Sequence, residues 1–563
     1  MAAHANRQTI TSRIDRLPPI LVMGALTLLG LALRLVWFGC YRLAGTDCDG
    51  AGYMDVARHI SVGAGFTTNI FKYLYLPPPF LPQPDAHWNP LYPLITAGAF
   101  RLFGESMTSA KLVPLMFGVA VPALVYLLGW MLTGSRRTAL LAGLMAALHP
   151  TLVTWSLRIE TEMGTIALVT AVLVLLPRPG SRASAGLGIV TGLAYLMKYQ
   201  SMLLWAALFA HHVLLRPPGR RMRDLAIVGL SFGVTIAPWL LRNLQVFGDP
   251  FYTDLRTDII SAYPGLGVVD RVWASLTPPP KPLSYLIAHA GDFVSHFYWS
   301  LRGYALRLPP LACGSVWLIP FALVGVVGEA RRWRHWVPGV LYGSLLLGMF
   351  SVSTAYDRYL FSLFPLVIVL VAAGVTWVMG HAARLGRTAV VVRAVVLVVV
   401  AGALVGEVRL GAAWATDRAS VWNPFAYNCV VEHLSAVPFI QSHAGPGDAV
   451  MASEAYHAGY LFDRPVVNLP FDERSIPALC ASYHIRYLVV SDRERNKRLP
   501  GWSKALPPWS HVVARQSAEE IARACEVPGC PQLSAVTIYQ LDPPQGSGDR
   551  VGIPPARGGA PSR

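Results

Sequence analysis

Asp47 and Asp49 stand two residues apart in the stretch Thr46-Asp47-Cys48-Asp49-Gly50-Ala51-Gly52-Tyr53, directly after an apolar run long enough to cross a bilayer. A carboxylate at a membrane edge can take a proton from a hydroxyl, which is general-base chemistry. It can equally cap the helix expected to start near Gly52. Three cations, Lys198, Arg242 and Arg358, each end an apolar run. Each either meets an anionic group at the interface or snorkels its head to water along an apolar stem. Glu160 and Glu162, with His87, form a candidate set for a divalent ion. The alternative is that they cap and pair with Arg158, and no residue is assigned as a metal ligand.

Residues so far apart need a scaffold to bring them together. With 54% hydrophobic and 14% charged residues, the chain has the composition of a polytopic membrane protein. Its net charge of +16 is spread in short Lys/Arg clusters between apolar runs, not gathered in one patch with interleaved aromatics. That pattern excludes nucleic acid as a partner and marks cytoplasmic loops.

Arg7, Arg13 and Arg16 precede the apolar run 18–40, and no small-residue cleavage signal follows. This predicts an uncleaved signal anchor with residues 1–17 in the cytoplasm. A first outer loop then spans 41–89, with an interfacial helix over 53–60 turning Asp55, Arg58 and His59 towards water. Pro77, Pro78, Pro79, Pro82 and Pro84 forbid regular structure after it. The short apolar helix ending at Phe103-Gly104 is expected to be half-inserted. Further apolar runs up to residue 410 bring the total to about eleven crossings. Arg136-Arg137, Arg178 with Arg182, Arg216 with Arg220, Arg221 and Arg223, Arg331-Arg332 with Arg334, and Arg384 with Arg387 then fall on one side. The other face receives the Asp47/Asp49 loop, the turn with Glu160 and Glu162, a long loop 242–310 and the Tyr356-Asp357-Arg358-Tyr359 turn.

Beyond residue 412, short β-rich runs alternate with helical stretches and predict a small extracytoplasmic α/β domain over 424–542. The Gly-, Pro- and Arg-rich tail 543–563 is expected to be disordered. The seven cysteines show neither CxxC pairs nor zinc spacing, which argues against a structural metal. Cys525 and Cys530 either form a disulfide or stay free thiols.

No GxxxxGK[ST] loop and no GxGxxG after a strand is present to hold a nucleotide. An activated substrate for an outer site must therefore arrive in the lipid, and a polyprenyl phosphate carrying a sugar is the obvious kind. Sugar transfer from a phosphate needs a base and a cation for the leaving group. Asp49 fits the first role, and Arg242 or Arg358 the second.

Five pieces in order carry a resemblance: Asp49 with Tyr53; Asn89-Pro90-Leu91-Tyr92-Pro93; His149-Pro150 through to Glu162; Ala237-Pro238-Trp239-Leu240-Leu241-Arg242-Asn243; and Asp357-Arg358-Tyr359-Leu360. Across 18–412 the chain resembles the GT-C membrane glycosyltransferases, in particular the protein O-mannosyltransferases and the aminoarabinose transferases of lipid A. The resemblance implies a GT-C-like fold of about 11 to 13 transmembrane helices, a polyprenyl-phosphate-linked sugar donor and an extracytoplasmic acceptor, at the cell's inner (plasma) membrane. It makes Asp49 the catalytic carboxylate, with Asp47 as second acid, because Gly50 stands where many relatives have Glu. It places Tyr53, His87, Glu162, Lys198, Arg242 and Arg358 in substrate binding; a divalent cofactor is left open. The competing classes are a transporter or flippase for a lipid-linked envelope precursor and a non-catalytic scaffold of wall assembly.

Overall fold

The computed structural model describes residues 17–38, 48–257, 272–353, 356–382, 384, 386, 388–416, 424–524 and 533–542. The expectations for Asp47, Arg387, residues 1–16, Cys525 with Cys530 and the tail from 543 lie outside these residues.

Among the described residues, six helices are long and apolar enough to cross a membrane: Pro19–Phe38, Met107–Thr133, Pro218–Phe247, Ala330–Val352, Asp357–Ala382 and Thr388–Gly406. A seventh arises if Ala290–Cys313 and Val316–Gly328, which meet at 87°, count as one broken span. The sequence expectation of about eleven counted shorter apolar runs as crossings. The run 139–155 is cut at His149, whose φ −58 and ψ 118 leave the helical region immediately before Pro150. Glu162–Leu175 has 14 residues, so it rises about 21 Å against an apolar thickness of about 30 Å. The long loop is also shorter than expected, because Ala290–Cys313 is helical.

Side chains and glycines fix the boundaries. Ser106 and Ser135 begin Met107–Thr133 and Arg136–Leu148 by accepting from the backbone N–H of Ser109 and Thr138. Ile319–Gly328 packs on Phe364–Ala382 so closely that a Cβ on Gly374 would fall inside the Phe321 carbonyl.

The helices place two kinds of polar residue at opposite ends. At one end Arg136 donates to the Leu17 carbonyl at 3.2 Å and Arg216 to the Leu176 carbonyl at 3.1 Å. At the other end lie Asp49, Glu162, Lys198 and Arg358, each within a turn of a helix terminus, that of Arg358 being the 3-10 helix Asp357–Leu363.

Eight short strands lie among the described residues. β1 (Thr67–Thr68) pairs with β3 (Gln83–Pro84). The larger sheet runs β2-β5-β4-β6-β8-β7, from β2 (Ile70–Phe71), β4 (Ala449–Ala452), β5 (Val466–Asn468), β6 (Ile485–Ser491), β7 (Ser510–Gln516) and β8 (Val536–Leu541). Its β2, β5, β4 and β6 pair in parallel, and β8 runs antiparallel to both its neighbours, β6 and β7. The edge strand β2 comes from the loop after the first span, with Ile70 beside Val466. The C-terminal α/β unit is therefore stitched into the membrane part.

Candidate active site

The helix carrying Asp49 spans Cys48–Ser61, four residues ahead of the expected start near Gly52. Its packing corrects the expectation that Asp55 and His59 face water. Asp55 is fully buried, accepting from Thr68 Oγ1 at 2.7 Å and the Asn69 N–H at 2.9 Å, while His59 Nδ1 lies 2.8 Å from Thr67 Oγ1. A buried carboxylate needs such donors, and these lock the loop onto the helix. Arg58 faces the C-terminal unit, donating to the Tyr460 carbonyl at 2.8 Å and pairing with Asp463 at 2.9 Å. Gly52 lets the Trp88 ring close over the helix, since a Cβ there would sit 2.7 Å from Trp88 Cζ2.

Asp49 is in the first turn, where an acid favours the helix dipole, but its carboxylate turns to a side chain. Arg358 donates from Nη2 to Asp49 Oδ2 at 2.5 Å and from Nη1 to Glu160 Oε1 at 2.9 Å. Its Nε lies 3.9 Å from Glu162 Oε1, which also accepts from Lys198 Nζ at 2.7 Å. Three carboxylates and two cations thus form one network across four elements. Glu160 and Glu162 are 1% and 2% exposed, so each depends on its cation. Removing one partner of such a buried pair costs about 3–5 kcal/mol. Glu162 Oε2 is buried with no hydrogen-bond partner among the described residues.

Burial pushes the Asp49 carboxyl up, but Arg358 and Lys72 together outweigh it and hold the group at about 2. Asp49 is thus ionised. Burial, with Glu160, Asp49 and Glu162 nearby, raises Tyr53 well above the usual phenol range. Its ring, packed 4.2 Å from Trp88 and 4.8 Å from Tyr92, keeps its proton as a donor. Burial and the Lys72 charge keep His87 neutral, 3.0 Å from the Tyr73 hydroxyl.

His87 and Lys72 line a cavity of about 550 Å³ together with Tyr73, Asp85, Phe247 and Tyr456. Lys72 Nζ lies over the rings of Trp273, Tyr456 and Tyr73 at 3.7, 4.6 and 5.2 Å. Arg242 reaches the same region apart from the ion network. It donates to the Phe66 carbonyl at 3.0 Å and lies 4.9–5.4 Å from the centroids of Phe66, Trp239 and Phe247. Asp85 accepts from the Trp88 N–H at 2.9 Å; burial foremost, and then Asp254 and Asp55, push it up to about 7 against that bond and Arg242.

The structure therefore joins Asp49, Glu162, Lys198 and Arg358 in contact, with Tyr53 and His87 beside them and Arg242 on the cavity side. The suggested Glu160, Glu162 and His87 ion set is not assembled: Arg358 occupies the space between the glutamates, and His87 faces Tyr73. Lys72, Asp85 and Tyr456 were missed as site residues. For Lys72 the available signal was a lone cation between Phe71 and Tyr73 in an outer loop; for Tyr456, about 400 residues away, there was none.

Residues 83–241 match the family described as dolichyl-phosphate-mannose-protein mannosyltransferase. A search of curated proteins finds no match to the sequence. Among solved structures the chain is similar to ArnT from Cupriavidus metallidurans bound to undecaprenyl phosphate, with 15% identity, TM-score 0.55 and coverage of 92% of this chain and 98% of that one. It is similar to the oligosaccharyltransferase AglB from Archaeoglobus fulgidus, in complex with an inhibitory peptide and a dolichol-phosphate, at 12% identity and TM-score 0.57 over 89% of this chain and 73% of that one. The arabinofuranosyltransferase AftD from Mycobacteria matches at 15% identity and TM-score 0.52 over 94% of this chain and 42% of that one. The chain has the GT-C fold of polytopic membrane glycosyltransferases, with a C-terminal strand-containing unit.

Proposed function

We propose that this protein is an integral membrane glycosyltransferase that moves a sugar from a polyprenyl-phosphate donor to an acceptor outside the cytoplasm, with Asp49 as base. The observation that carries it is the bridge from Arg358 to Asp49 and Glu160 at the point where four helix ends meet. The ionised Asp49 carboxylate takes the proton of the acceptor hydroxyl as that oxygen bonds to the anomeric carbon. The bond from that carbon to the phosphate oxygen breaks, and the phosphate leaves with its electron pair. No strong acid is needed, because cations meet the released charge.

Arg358, Lys198 and Lys72 are the cations near Asp49, and Arg242 stands ready across the cavity. When the donor phosphate draws Arg358 away, Asp49 loses the charge that holds it near 2 and becomes a stronger base. Neutral His87 and protonated Tyr53 offer hydrogen bonds without adding charge, and Glu162 Oε2 is an acceptor for a sugar hydroxyl. Undecaprenyl phosphate in one similar structure and dolichol-phosphate in another support a lipid donor. In this scheme 18–412 is the transferase domain, 424–542 an extracytoplasmic domain, and the basic helix ends face the cytoplasm.

The experiment is acceptor-dependent release of undecaprenyl phosphate from an undecaprenyl-phosphate-linked sugar, followed by mass spectrometry with the purified protein. A transferase gives free lipid phosphate and glycosylated acceptor in equal amounts. Movement of intact sugar-lipid across vesicles without cleavage supports the transporter alternative, for which the comparisons give no support.

A further inference from the structure

We propose that Cys48, Glu454 and His457 form a zinc site that pins the start of the Asp49-bearing helix to the C-terminal α/β unit. Each of these residues offers one ligand atom, and the three atoms lie within 4.8 Å of one another, which no other trio of His, Cys, Asp or Glu matches among the described residues. Cys48 opens the Cys48–Ser61 helix, Glu454 precedes the Ala455–Phe462 helix, and His457 lies in that helix's first turn. The two helices pack against each other, so the ligands come from two sides of an existing interface. The thiol already donates to Glu454 Oε2 at 3.3 Å, and His457 is 1% exposed.

The donor set selects the ion. One sulfur, one imidazole nitrogen and one carboxylate oxygen suit zinc and disfavour magnesium or calcium, which take oxygen. Tetrahedral zinc with bonds of about 2.0–2.3 Å separates its ligand atoms by about 3.3–3.7 Å. The thiol and carboxylate are already at that spacing, and a His457 ring nitrogen lies within 4.8 Å of both. The ion replaces the thiol proton, which is released. Three protein ligands leave a fourth position for water. Cysteine spacing could not reveal the set, because Cys48 and Glu454 are 406 residues apart. Zinc binding here does not depend on the glycosyl-transfer function.

The test measures metal content of the tag-free full-length protein purified with zinc present, then its spectrum after replacement by cobalt. We expect about one zinc per chain, at least a tenfold loss in Cys48→Ser and His457→Ala, and wild-type content in His87→Ala. Cobalt in the wild-type protein should show a thiolate-to-metal charge-transfer band that is absent from Cys48→Ser. A wild-type chain without zinc, or zinc retained in both Cys48→Ser and His457→Ala, overturns the proposal. A wild-type cobalt spectrum without a thiolate band overturns it however the variants fold.

Discussion

Arg358 is the residue on which the ion network turns, since it bridges Asp49 and Glu160. In sequence it was one of three cations at the ends of apolar runs, each with an equal claim to be a clamp or an anchor. Distance separates them: Arg358 and Lys198 bond carboxylates of the network, while Arg242 sits among rings. Asp85 gives a prediction of another kind. Burial holds its carboxyl at about 7, so the folded chain keeps a proton that the unfolded chain gives up near 4. A raised carboxyl favours the folded state at low pH and costs stability as pH rises from about 4 to about 7. The wild-type melting temperature should therefore fall between about pH 4 and pH 7. In Asp85→Asn, which can still accept from the Trp88 N–H, that fall should be smaller. Parallel profiles for the two proteins would show that Asp85 is not the group responsible.

The Cys48–Ser61 helix shows what the next scale adds. Gly52 matters because Trp88 lies on it, and Gly52→Ala must displace the ring that also packs on Tyr53. Overpacking of this sort costs about 1–3 kcal/mol. We expect Gly52→Ala to lower the melting temperature and turnover together, read in the same detergent preparation; wild-type values for both would mean the ring has room to move. The helix was legible in sequence, but which way Asp55 and His59 point was not. Charge alone suggested water, whereas the partners that bury them, Thr67, Thr68 and Asn69, lie in and just after a two-residue strand too short to leave a periodic signal. Breaks inside apolar runs were hidden for a similar reason. His149-Pro150 ends a helix within the stretch 139–155 that composition reads as continuous.

At the scale of the whole molecule, the GT-C architecture followed from the order of five weak motifs, each uninformative alone. The sheet's edge strand was not foreseeable, because Ile70 and Phe71 pair with residues nearly 400 positions away. Opposed helix ends make a topological prediction. A reporter active only outside the cytoplasm should work when fused after Leu410 and fail after Arg182 or Arg334. An active reporter at Arg334 would put the basic ends outside and the Asp49 cluster inside. The most direct test of the central claim is the turnover of Asp49→Asn in detergent with a polyprenyl-phosphate sugar that the wild type consumes. Asn keeps the size and most hydrogen bonding of Asp, including any role in starting the helix, but takes no proton at neutral pH. With Asp49 as base, turnover should fall about a hundredfold or more while the donor still binds, and Asp47→Asn should lose less. Full activity in Asp49→Asn would contradict the mechanism.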